Sequence, residues 1–270
     1  MRSYSDKISL TKNDRGIYSL DTSIGCYSGV KDDKNGCYGD CYSAKSARLY
    51  GYDFSKTVNR HFANTKHKQE IIREINAIPM PFIRIGSSRD PSEDWEHTLN
   101  IIEQISDGLQ NKQLNIFGNL APKKEIVIIT KHWTNLTNLQ LEKLKRFNIC
   151  VNTSVSAIDE PNELENRLKQ FKKLKQYSKS ILRIVSFDFN TENEVGLKYS
   201  NIQNELFKTP NILDTVFRAS KGNQLVKDNI INVKKSKFLG KNALISKYNK
   251  KTYFGKCGTC LEMCGININN

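Results

Sequence analysis

Two groups of three cysteines stand near opposite ends of a 270-residue chain. The first is Cys26, Cys37 and Cys41, spaced Cys-x10-Cys-x3-Cys. The second is Cys257, Cys260 and Cys264, spaced Cys-x2-Cys-x3-Cys. Each has three thiols and no fourth beside it. A closed structural zinc site takes four ligands. An iron–sulfur cluster held by three thiolates keeps one iron open to a small molecule, which makes it a reactive centre. For the second group the spacing indicates metal and leaves four readings open: an auxiliary iron–sulfur cluster, zinc, joint use with the first group, or free thiols. A three-thiolate zinc site would need another ligand, and no His lies in that tail. Cys150 stands alone. Its alternation with Asn152 and Ser154 can turn it inward as a fourth ligand, against the commoner role of a buried free thiol.

The elements that must carry these groups alternate. Gly16–Thr22 reads as a strand leading into the first cysteine group, and a helix former, Tyr42–Tyr50, follows Cys41. A second helical stretch runs from Ser55 to Ala77. Strands follow at Pro81–Gly86, Glu125–Thr130, Ile149–Val155, Ile181–Phe187 and Ile212–Arg218. Helices lie between them at Glu93–Leu109, Leu136–Phe147 and Glu160–Tyr177. The apolar run Glu125–Thr130 suits a strand buried on both faces of a parallel sheet. Strand–helix alternation with connections of this length predicts right-handed β/α units. About six such units fit between Gly16 and Ser220, which predicts an α/β protein with a partial (β/α)6 TIM-like barrel over residues 1–220. Residues 221–270 form a basic C-terminal extension that contains the second cysteine group.

In such barrels the reactive groups sit at the C-terminal strand ends. The positions that follow the strands here are polar: Gly86, Ser87 and Ser88, then Lys131 and His132, then Asn152 and Ser154, then Arg183. Polar groups at strand ends are costly to bury unless something binds there. Arg183 suits a carboxylate, with Asp159 as an alternative internal partner. Ser87, Ser88 and Asp90 also read as the start of the next helix, since Ser88-Arg89-Asp90-Pro91 is good capping chemistry. Lys131 and His132 are the candidate catalytic groups. His61, His67 and His97 read as solvated helical residues. Tyr27, Tyr38 and Tyr42 beside the cysteines either shield the site from water or simply pack.

The order Gly25-Cys26, Cys37, Cys41-Tyr42, Thr130-Lys131, Ser154–Pro161 and Arg183 resembles the radical S-adenosylmethionine superfamily. The likeness is to the branch around spore photoproduct lyase and a phage-encoded group of similar proteins. It spans roughly residues 16–220. The cysteine spacing differs from the superfamily's Cys-x3-Cys-x2-Cys, and Gly86-Ser87-Ser88 stands where Gly-Gly-Glu is usual. The resemblance implies a [4Fe–4S] cluster on Cys26, Cys37 and Cys41, with S-adenosylmethionine chelated at its open iron. It further implies reductive cleavage to a 5′-deoxyadenosyl radical and a reductant such as flavodoxin or ferredoxin. Gly86, Ser87, Ser88, Asn152, Ser154 and Arg183 would then face the cofactor.

The formal net charge of +14 suggests a polyanionic partner, nucleic acid first. A Lys-, Asn- and Ile-rich composition can produce the same excess without such a partner. The lysines from Lys227 to Lys251, among aromatic residues, suit either a phosphate-gripping surface or a solvated face. No signal peptide or membrane-length apolar run is evident, so a cytoplasmic protein is expected. The competing function is a non-catalytic, zinc-stapled nucleic-acid-binding protein; a cluster-carrying maturation protein is a third.

Overall fold

In the computed structural model, the residues described are 4–13, 16–30, 37, 41–106, 108–109, 124–131, 134–147, 149–216, 224–231, 235–238, 241–244 and 264–265. The strands in chain order are β1 (Leu10–Lys12), β2 (Tyr18–Leu20), β3 (Ser23–Ile24), β4 (Val58–Asn59), β5 (Phe82–Ile85) and β6 (Glu125–Thr130). They continue with β7 (Ile149–Val155), β8 (Lys179–Ser186), β9 (Ile212–Val216), β10 (Lys235–Phe238) and β11 (Lys241–Leu244). The helices are α1 (Tyr27–Val30), α2 (Tyr42–Leu49), α3 (Thr65–Ala77), α4 (Trp95–Ser106), α5 (Asn138–Arg146), α6 (Pro161–Leu174), α7 (Glu194–Phe207) and α8 (Gln224–Asn229).

Seven strands form one open sheet in the order β1-β2-β5-β6-β7-β8-β9. Only the β1–β2 edge pair is antiparallel; every other neighbour is parallel. Chain order equals spatial order, so crossovers of one hand put the helices on one face. Val155, Leu182 and Ile184 on that face pack against Phe171 of α6 and Leu206 of α7. The registers Ser19↔Arg84↔Val127↔Cys150 and Asn152↔Ile181 place a second set of side chains on the opposite face. Ser154↔Arg183 continues that set. All seven residues of β7 are buried, as a strand covered on both sides requires.

The α/β architecture and the five strands expected from Phe82 onward are present. Boundaries differ where caps decide them. The helix expected from Ser55 begins only at Thr65, because the Asn64 side chain accepts the His67 N–H at 2.9 Å and caps it. Upstream, Val58–Asn59 instead pairs with Ser23–Ile24. Asp90 caps a 3-10 turn, Pro91–Asp94, that leads into α4. No helix among the described residues is long and apolar enough to cross a membrane.

Candidate functional site

The C-terminal ends of β2, β5, β6 and β7 converge on a network of buried carboxylates. Asp21, one residue past β2, accepts the Ser87 N–H at 2.8 Å, the Ser87 hydroxyl at 2.6 Å and the Ser88 N–H at 3.3 Å. Gly86 makes this turn possible: its φ is +93°, and a Cβ there would stand 2.6 Å from Pro91 Cγ and 2.8 Å from the Ile129 carbonyl oxygen. Asp90 accepts from the Thr130 hydroxyl and the Lys131 N–H, each at 2.5 Å, besides capping Ser92. It thereby ties the end of β5 to the end of β6.

Lys131 Nζ donates to Asp159 Oδ1 at 2.7 Å. Arg167 of α6 meets Asp159 Oδ2 at 2.6 Å and donates from Nε to the Lys131 carbonyl at 2.6 Å. Burial alone would raise the Asp159 carboxyl, but the Lys131 and Arg167 charges outweigh it and hold the acid below its ordinary value. Both Asp159 oxygens are thus engaged, Oδ1 by Lys131 and Oδ2 by Arg167.

The first cysteine group lies at this edge. Cys26 is buried at the start of α1, its thiol donating to Glu93 Oε1 at 3.5 Å. Glu93 also accepts the Ser28 N–H at 2.9 Å and pairs with Arg89 at 3.0 Å. Cys41 is the residue before α2, and Cys37 is half-buried between the two. Burial, then the Glu93 carboxylate, drive the Cys26 thiol strongly upward, with Asp90 and Cys37 adding to the effect. Burial pushes the Cys37 thiol up to about 11, with Cys41 and Asp90 raising it and Lys131 and Arg167 opposing. Cys37 is therefore within electrostatic reach of Cys26, Cys41 and the Lys131–Asp159–Arg167 network. Among the described residues, no three His, Cys, Asp or Glu side chains stand close enough to hold one ion. Ligands of a single ion crowd together; thiolates on a cubane bind separate irons and stand wider apart.

Asn152, Ser154 and Arg183 lie elsewhere, on the sheet face away from the helices. Asn152 Nδ2 donates to the Cys264 carbonyl at 3.0 Å. Ser154 lies in register with Arg183. The Arg183 charge reaches the Cys150 thiol, where it opposes the rise that burial imposes. Cys264 is buried against Cys150, a residue 114 positions away in the chain. His132, Cys257, Cys260 and Tyr38 lie outside the described residues. Tyr27 and Tyr42 flank the cysteines with 62% and 82% of their surface exposed, so neither packs inward. His67 lies in α3 as expected, whereas the other two histidines each meet the expectation only in part: His61 is exposed and His97 is helical. His61 lies outside any helix, and His97 is half-buried, its Nε2 within 3.0 Å of the Thr22 and Arg60 carbonyls.

Asp21, Asp90, Glu93 and Arg167 were not among the expected site residues. Asp21 had a signal in the sequence, an acid directly after an apolar strand end; Arg167 had none, being one basic residue of a basic helix. A cavity of about 790 Å³ opens between α6 and α7, floored by Leu164, Leu168 and Ile202 and reaching Asp159. Among the described residues no cysteine lines it. No protein-family model, curated protein or solved structure matches the chain.

Proposed function

We propose that this chain is an iron–sulfur enzyme of the radical S-adenosylmethionine type, built on a partial (β/α)6 barrel and acting on nucleic acid or a nucleotide-derived substrate. What supports the reading is that Cys26 and Cys41 stand directly before α1 and α2, in the segment that follows β2 of the parallel sheet, with Cys37 between them in the chain. The donor set fits: three soft thiols and no other cysteine of the described residues at that edge. When bound there, a [4Fe–4S] cluster supplies one electron to cleave S-adenosylmethionine to a 5′-deoxyadenosyl radical.

The chain's own residues do the rest. Cys26, Cys37 and Cys41 hold the metal as thiolates, and Glu93 Oε1 is placed to take the Cys26 proton as that sulfur is metallated. Lys131 and Arg167 offset the negative charge gathered around Cys37. Asp21 fixes the Gly86-Ser87-Ser88 turn beside the site, leaving this backbone stiff enough to position a ligand. Exposed Tyr27 and Tyr42 offer stacking faces to bases, and the +14 charge favours phosphate. A target base inside a duplex would have to be extruded to reach the site. A one-electron donor such as flavodoxin or ferredoxin completes the system.

The test is anaerobic reconstitution of the Cys257→Ala/Cys260→Ala/Cys264→Ala variant. About four iron and four sulfide per chain, with 5′-deoxyadenosine released on reduction, support the reading. Colourless protein holding stoichiometric zinc and binding DNA in a salt-sensitive way would replace it with the zinc-stapled binder.

A further inference from the structure

The cavity between α6 and α7 lies on the helix side of the sheet, and its volume of about 790 Å³ is that of a small-molecule site. Helix spacing decides what lines it. Leu164, Leu168 and Lys172 recur every four residues along one side of α6, and Lys198 and Ile202 do the same on α7. Leu164, Leu168 and Ile202 pack on the core but are only partly buried. The two helices therefore hold apolar surface open to solvent between them.

One wall of the cavity is aromatic. The rings of Phe187 and Phe189 have centroids 5.6 Å apart, and those of Phe189 and Tyr199 are likewise 5.6 Å apart. This row of tilted rings ends at Tyr199, which lines the cavity. A flat ring bound there would extend the row.

The rim is charged. Lys169, Lys172 and Lys198 line it, all three are exposed, and among the described residues none of them is paired with an acid. Lys169 and Lys172 stand three positions apart on α6, where like charges repel. Asp159, at the inner end, is already engaged by Lys131 and Arg167. The other acids of the lining, Glu160 and Glu165, belong to the N-terminal end of α6, and Lys169 and Lys172 lie further along it. The groove thus has a basic end that an anion would relieve.

We propose that this groove is a ligand site for a small organic anion with a flat aromatic body, a class that includes the nucleotides. The body lies on Leu164, Leu168 and Ile202 against the Tyr199 ring, and the anionic head meets Lys169 and Lys172. The site uses none of the described cysteines and stands independently of the radical reading.

The test is fluorescence titration of the full chain with anilinonaphthalene sulfonate, an aromatic anion, and with N-phenylnaphthylamine, its uncharged counterpart. The sulfonate should saturate at a single site. Lys169→Gln/Lys172→Gln changes only exposed side chains. It should weaken the sulfonate at least about tenfold and leave the uncharged dye unaffected. Leu225 lines the mouth and is 37% exposed, so Leu225→Glu should keep the fold and weaken both dyes. Equal binding of the two dyes, unmoved by the lysine changes, would overturn the proposal and leave an apolar face of the kind that docks another protein. Sulfonate binding unmoved by Leu225→Glu would also overturn it, since the dye then sits elsewhere. Displacement of the sulfonate by adenosine monophosphate and not by dodecanoate supports the aromatic class; the reverse overturns it.

Discussion

The edge around Cys37 and the patch around Cys150 are both cysteine sites on one sheet, and their surroundings are opposed. At the edge that carries Cys37 stand Asp21, Asp90, Glu93 and Asp159 with Lys131, Arg167 and Arg89, and of these the Lys131, Asp90 and Arg167 charges act on the Cys37 thiol. Beside Cys150 stand Val127 in register and Gly265, the Cys150 thiol and the Asn152 amide both donate to the Cys264 carbonyl, and the Glu125, Lys179 and Arg183 charges act from farther off. A charged, partly open edge suits groups that exchange protons and ligands; a buried core suits a thiol that stays neutral and packs. The difference lies in which end of the strands and which face the chain presents, since both sites draw on the same residue type.

The largest effect is expected at the edge. Cys37→Ala or Cys41→Ala should reduce iron at the first site from about four to near zero and abolish cleavage of S-adenosylmethionine. Retained iron would erase the contrast. Next comes Asp159→Asn, which leaves Lys131 and Arg167 facing an uncharged group in a buried place. Removing one partner of a buried network costs about 3–5 kcal/mol, readable by denaturant unfolding. Because the folded Asp159 acid lies below its ordinary value of 3.8, its stabilisation is fully present above that value and is lost as pH falls through the lower folded value. Acid unfolding of the wild type should therefore show a component that Asp159→Asn lacks.

Gly86→Ala should cost about 2 kcal/mol or more, since a Cβ meets both a ring and a backbone carbonyl at a positive φ. Asn152→Ala removes the amide bond to the Cys264 carbonyl, for about 1–2 kcal/mol, and should loosen the C-terminal segment to proteolysis without touching the first site. Ser87→Ala, which leaves the backbone bond to Asp21 in place, should cost about 1 kcal/mol. A larger effect of Ser87→Ala than of Asp159→Asn would show that the Asp21 turn, and not the ion network, holds the edge together.

Much of the frame was legible from local pattern. The apolar run Glu125–Thr130 read as a doubly covered strand because burial on both faces suppresses alternation. The alternation Cys150-Asn152-Ser154 correctly put these side chains on one face. What lay on that face was not legible, because contact with Cys264 depends on where the far end of the chain returns. Ser87 and Ser88 read equally well as ligand groups or helix starters. Their engagement by Asp21 depends on the β2–β5 pairing, a contact between residues 66 or more positions apart. The Asp159 partners were missed for a related reason: an acid after a strand advertises charge and not which of many Lys and Arg side chains folds over it.

The most direct test of the radical reading is the electron paramagnetic resonance spectrum of the reduced Cys257→Ala/Cys260→Ala/Cys264→Ala protein, with and without S-adenosylmethionine. A [4Fe–4S] signal that shifts on addition, followed by 5′-deoxyadenosine release, is the predicted result. A silent, zinc-containing protein, or a cluster signal indifferent to S-adenosylmethionine, would contradict it.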